Sequence, residues 1–137
     1  MHRQLWLGSV VLSVMFVPVA LGQDPIKPVQ GLKPTTALFK KARRGKPLVI
    51  KSAEQVRNHF GKADAAKLNK AVDFKKQIVL VFAWRGSGQD KLNYSVAESF
   101  PEQITFQIIP GRTRDLRPHF YVYVLRSNVK WRVKFGR

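Results

Sequence analysis

The chain has 137 residues, with 25 Lys plus Arg against 8 Asp plus Glu, no cysteine and a formal charge of +17. That length suits one domain rather than two, and 45% apolar with 24% charged residues makes a globular chain rather than a disordered one. Zero cysteines exclude a disulfide scaffold, a thiolate zinc site, a cysteine nucleophile and a lipoprotein anchor together.

Residues 1–22 read MHRQLWLGSVVLSVMFVPVALG: a short positive start, the amino terminus and Arg3, then an uncharged apolar stretch from Leu5 to Leu21. This is the layout of an export signal. Ala20 and Gly22 supply small side chains three and one residues before a cut ahead of Gln23, and Pro18 would break a helix just upstream. The alternative is a retained membrane anchor, since about 17 apolar residues lie at the lower edge of what spans a bilayer. Removal of the 22 residues leaves 115 and takes away one base, Arg3, so the remainder carries +16. A domain near that size still buries roughly two-thirds of the surface its unfolded chain exposes.

Residues 23–47 carry six Pro or Gly residues and seven bases against one acid, Asp24. Prolines at this density predict an extended basic arm, with one helical turn around Thr36 to Lys41. It reads either as a solvated linker or as a polyanion-binding arm.

Residues 48–137 are expected to form the folded α+β domain. Leu48-Val49-Ile50 is a short run of strand type. Ser52 with Gln55 three residues later makes a capping box, Val56 and Phe60 give the helix an apolar stripe, and Gly61 stops it. Asp64 can cap a second helix over 65–72. Ile78-Val79-Leu80-Val81-Phe82-Ala83-Trp84 is apolar without alternation, which predicts a strand covered on both faces in the middle of a sheet.

Alternation follows. Leu92, Tyr94 and Val96 face one way, as do Ile104, Phe106 and Ile108. Phe100-Pro101 and Pro110-Gly111 separate the strands, the latter pair suiting a type II turn. Phe120, Val122 and Val124 share one face, and Val129, Trp131, Val133 and Phe135 share another. With Ser127-Asn128 as the turn, a closing hairpin would match Val124 with Trp131 and Val122 with Val133. The same register sets Tyr123 opposite Arg132, Tyr121 opposite Lys134 and Leu125 opposite Lys130. The expected fold is a single α+β domain with a mostly antiparallel sheet of about six strands and one or two helices after the first strand.

Two polar segments interrupt the strands, 85–91 and 111–119. If they meet at one end of the sheet, they gather Ser87, Asp90, Asp115, His119 and four arginines. A hydrolase would use Ser87 as nucleophile, His119 as base and Asp90 or Asp115 as orienter. Arg85 stands where the Gly-x-Ser-x-Gly elbow needs glycine, and four arginines discourage a histidine from taking a proton. Asp90, Asp115 and His119 lack local metal-ligand spacing. The expectation is therefore a protein that is not an enzyme, with no cofactor and no metal.

An anion site is better motivated: Arg85, Arg112, Arg114 and Arg117 offer forked donors, joined by Ser87 and His119, and Gly86 and Gly88 leave backbone N–H groups approachable. The plainer alternative is a loop clamp, in which Asp90 and Asp115 accept hydrogen bonds from arginines and turn N–H groups. A second surface is the outward side of the closing hairpin, where Tyr121, Tyr123, Lys130, Arg132 and Lys134 interleave rings and cations. Its plainer reading is a solvated sheet face. Export argues against RNA or DNA as partner, and favours an anionic envelope polymer or an acidic protein, in the periplasm or outside the cell. Membrane contact would come only through an uncleaved signal.

The segments Trp84-Arg85-Gly86-Ser87-Gly88-Gln89-Asp90 and Gly111-Arg112-Thr113-Arg114-Asp115-Leu116-Arg117-Pro118-His119, after Val72-Asp73-Phe74, resemble those of a group of short exported bacterial proteins of unassigned function. The resemblance covers residues 48–133 and excludes the arm. More distantly, the layout is similar to the C-terminal domain of protease-complex-associated (PrcB-type) proteins. That resemblance implies a compact β-rich module that associates with a protein partner without catalysis. No catalytic residue carries over.

Overall fold

The computed structural model of the chain describes residues 24–137, so the expected leader and its cut before Gln23 fall outside the described residues. In chain order the elements are β1 Ile26–Val29, α1 Thr36–Lys41, β2 Leu48–Ile50, α2 Ala53–His59, α3 Lys62–Ala71, β3 Gln77–Gly86, β4 Lys91–Ala97, β5 Gln103–Ile109, β6 Arg117–Arg126 and β7 Lys130–Phe135. They make a four-stranded sheet in the order β1-β6-β3-β2 and a three-stranded sheet in the order β4-β5-β7. All pairings are antiparallel except β5 with β7. The architecture is α+β.

The unalternating apolar run on β3 has its reason in this layering. Val79, Val81 and Ala83 pack with Leu38, Val56 and Leu68 beneath the helices. Leu80, Phe82 and Trp84 pack on the other side with Leu92, Ile104, Phe106 and Ile108 of the second sheet. A strand with a core on each face has no polar side to display. The strands of the three-stranded sheet have one core face only, and so they alternate.

Local signals place the helices. Ser52 Oγ accepts the Gln55 N–H at 3.2 Å, and Gln55 Oε1 reaches back to the Lys51 N–H at 2.7 Å. The third helix starts earlier than the Asp64 cap predicts: Gly61 is its N-cap, and Asp64, in the first turn, accepts the Lys33 N–H at 2.9 Å. Gly61 thus opens α3, while Phe60 closes α2.

Three further expectations are corrected. Within the segment 23–47, the described residues 24–47 are not an arm outside the domain: β1 pairs with β6, and Ile26, Leu38 and Ala42 are buried. The turn at Pro110-Gly111 is not type II, because Gly111 does not take the positive φ that its third position requires. The closing hairpin does not form. β6 pairs with β3 over ten residues, from Gln77↔Arg126 to Gly86↔Arg117, and with β1 on its other side, so neither edge is open to β7. Both faces of β6 are apolar, so matching phases did not select a partner. After Ser127-Asn128 the chain crosses to the second sheet, where β7 runs parallel to β5 with Ile104↔Trp131 and Phe106↔Val133.

Candidate functional site: an arginine-rich loop cluster

Because β3 and β6 are antiparallel neighbours, the end of β3 lies beside the start of β6, with Trp84↔His119, Arg85↔Pro118 and Gly86↔Arg117 in register. The loops leaving those strand ends are thereby held together, and they bond to each other. The Gly88 N–H donates to Asp115 Oδ1 at 3.1 Å, the Gly111 N–H to Asp90 Oδ1 at 2.7 Å, and the Thr113 N–H to Ser87 Oγ at 3.1 Å. The approach is close enough to need glycine: a Cβ on Gly111 would lie 2.5 Å from Gln89 Cβ and 2.7 Å from its carbonyl carbon.

Asp90, 5% exposed, anchors the inner half. Its Oδ2 accepts the Trp84 indole N–H at 3.0 Å, and Arg44 lies 3.5 Å from its Oδ1. Burial pushes the Asp90 carboxyl up, but the Gly111 N–H, the Trp84 indole, Arg44 and His119 outweigh it and hold the group below its ordinary value. Asp115 anchors the outer half. The Thr113 hydroxyl, the Gly88 N–H and Arg117 hold it down to about 2. Both carboxylates of the cluster are thus occupied by internal donors.

Ser87 and His119 come together without making a nucleophile and base. His119 Nε2 lies 2.7 Å from the Ser87 carbonyl oxygen, which can only accept, so this nitrogen carries the hydrogen. The ring stacks on Trp84 with centroids 4.9 Å apart. Ser87 Oγ accepts from the Gln89 and Thr113 N–H groups and shares a hydrogen with the Thr113 hydroxyl. Ser87 and Asp115 serve here as loop fasteners. Among the described residues no group of three or more His, Asp or Glu side chains is placed to hold a metal ion.

The arginines divide. Arg117 Nε donates to Asp115 at 3.0 Å, and the Arg85 guanidinium lies over the Phe39 ring at 5.2 Å. Arg112 and Arg114 are exposed, and their guanidinium groups have no hydrogen bond or ion pair among the described residues. The backbone at Arg112 is fixed through its N–H to Gln89 Oε1 at 3.4 Å.

Residues outside the two loops complete the site. Arg44 reaches Asp90 and stacks on Phe135 at 5.8 Å, and the turn that brings it there needs Gly45 at φ +81. This turn from the basic segment had no signal in the loop sequences. Trp84 did have one: a buried indole N–H requires an acceptor, and Asp90 is the next acidic residue along the chain.

The second expected surface comes apart. Tyr121 and Tyr123 face the core between the sheets, Tyr123 being 6% exposed, and burial followed by the neighbouring Tyr121 and Tyr94 pushes its hydroxyl up to about 12. Lys130, Arg132 and Lys134 point outward from β7, in the other sheet. A cleft of about 640 Å³ between β1 and the end of α3 is away from the loops and mixes Lys27 and Lys70 with Asp24 and Asp73. No helix among the described residues is long and apolar enough to cross a membrane. No protein-family model, curated protein or solved structure matches this chain.

Proposed function

We propose that the protein is an exported, non-enzymatic binding module whose arginine-rich loop cluster contacts an anionic envelope component or an acidic partner protein. The observation that carries the reading is the split between the two halves of the cluster. Asp90 and Asp115 are neutralised by internal donors, while Arg112 and Arg114 project from a backbone that those same donors fix. A guanidinium held on a tied loop loses less conformational freedom when it grips a carboxylate, sulfate or phosphate. Export rests on the apolar leader and places the partner in the periplasm or outside the cell. The distant resemblance to PrcB-type domains adds support for association without catalysis.

The test is to replace Arg112 and Arg114 by Gln and titrate the protein with dextran sulfate, standing for an anionic polymer, and with polyglutamate, standing for an acidic protein. R112Q/R114Q is expected to bind its preferred probe roughly tenfold or more weakly, since two charge-assisted hydrogen-bond donors are lost. Its melting temperature should stay at the wild-type value. Unchanged binding to both probes rejects the reading.

A further inference from the structure

We propose that the outward face of the three-stranded sheet is a second binding surface, and that its ligand is a linear anionic polysaccharide. The three outward positions of β7 are Lys130, Arg132 and Lys134, all exposed. Alternate residues on a strand stand about 6.6 Å apart, so the three cations form a straight row about 13 Å long. Lys91 adds a fourth cation on β4. The outward positions of the three strands include no acidic residue.

The pairing register turns this row into a surface. Lys134 stands beside Gln107, which stands beside Asn93; Arg132 stands beside Thr105 and then Ser95; Lys130 stands beside Gln103. Each cation of the β7 row therefore has an amide or hydroxyl side chain next to it, about 4.8 Å away across the strands. Arg132 Nε donates to Thr105 Oγ1 at 3.1 Å, which lays its guanidinium along the face. A shallow hollow of about 200 Å³ lies at the β7 side, lined by Gln103, Ile104, Lys130, Trp131 and Arg132.

This chemistry favours a sugar polymer over a nucleic acid. Nonspecific grip on single strands relies on aromatic rings that stack bases. Here Tyr94, Phe106, Trp131 and Val133 occupy the inner-facing positions, Tyr94 partly exposed and Trp131 at the edge of the hollow, and the outward positions themselves carry no ring. Cations for carboxylate or sulfate, with amides for ring hydroxyls, suit an acidic polysaccharide. The row also leads toward the loop cluster, since the strand ends at Phe135, over which Arg44 lies.

The surface is separate from Arg112 and Arg114, and so is its test. Long and short polygalacturonate chains, uncharged dextran and a single-stranded oligonucleotide of matched charge are titrated against wild type, K130Q/R132Q/K134Q and R112Q/R114Q. The triple variant is expected to bind long polygalacturonate roughly tenfold or more weakly, with a log–log salt dependence shallower by about 2 to 3. Short chains should lose less. K130Q/K134Q keeps the Arg132–Thr105 bond and should show a smaller loss of the same sign, so the test survives misfolding of the triple variant. Wild-type affinity in both sheet variants overturns the inference, as does oligonucleotide binding as tight as that of polygalacturonate. A loss confined to R112Q/R114Q also overturns it while leaving the loop reading standing; a loss confined to the sheet variants supports it and leaves the loop reading to its own two probes.

Discussion

Asp90 shows what a single side chain does in this molecule. It ties the end of β3 to the second loop and to the basic segment through one carboxylate, using the Trp84 indole, the Gly111 N–H and Arg44. An asparagine of the same shape cannot accept from both donors, because its NH2 group would face one of them. Asp90→Asn is expected to destabilise the protein by about 1–3 kcal/mol at neutral pH, the cost of leaving a buried donor without an acceptor. The cost should depend on pH in a definite direction. The folded carboxyl titrates below its ordinary value of 3.8, so its stabilisation is full above that value and is lost as pH falls through the lower folded one. Urea unfolding of wild type and variant should therefore show a gap that narrows below pH 3.8, and a gap that widens in acid would contradict the assignment. Asp115, held down to about 2, keeps the outer half of the lock charged through most of that range.

At the scale of elements, what could be read from the sequence was whatever its own neighbours decide. The capping box at Ser52 and Gln55 needs four residues, and the two-faced burial of β3 shows as an unbroken apolar run. The pairing of β7 could not be read that way. Its apolar phase fits β6 as well as β5, and the choice depends on β1 and β3 having already filled both edges of β6. The basic segment misled for a related reason. Pro28 reads as a breaker, yet it lies on β1, an edge strand, where a missing N–H costs little. Leu38 decides between an arm and a built-in segment. It is fully buried beneath the helices, so Leu38→Ala should cost about 2–5 kcal/mol in denaturant unfolding. A solvated arm would give a change near zero. The loop cluster was legible in its members and not in its wiring: the sequence showed Ser87, His119 and the two aspartates, but only the β3–β6 register determines that His119 meets a carbonyl and not the Ser87 hydroxyl.

For the whole molecule the governing quantity is charge. Residues 24–137 carry all eight acids and all bases but Arg3, a net +16, and at least three of the acids are engaged in internal ion pairs. Self-repulsion on that scale weakens the compact state, and added salt relieves it by screening. Sodium chloride is therefore expected to raise the unfolding midpoint. Sulfate at equal ionic strength should raise it further for two reasons that can be separated. One is exclusion from the protein surface, which acts on any folded protein. The other is occupancy of the loop arginines, which adds stability as RT ln(1 + [L]/Kd), about 1.4 kcal/mol at ten times Kd. R112Q/R114Q retains the first and loses the second. The surplus of sulfate over chloride should accordingly be larger in wild type than in the variant. Equal surpluses would assign the whole effect to exclusion and leave the exposed guanidinium groups as solvated charge.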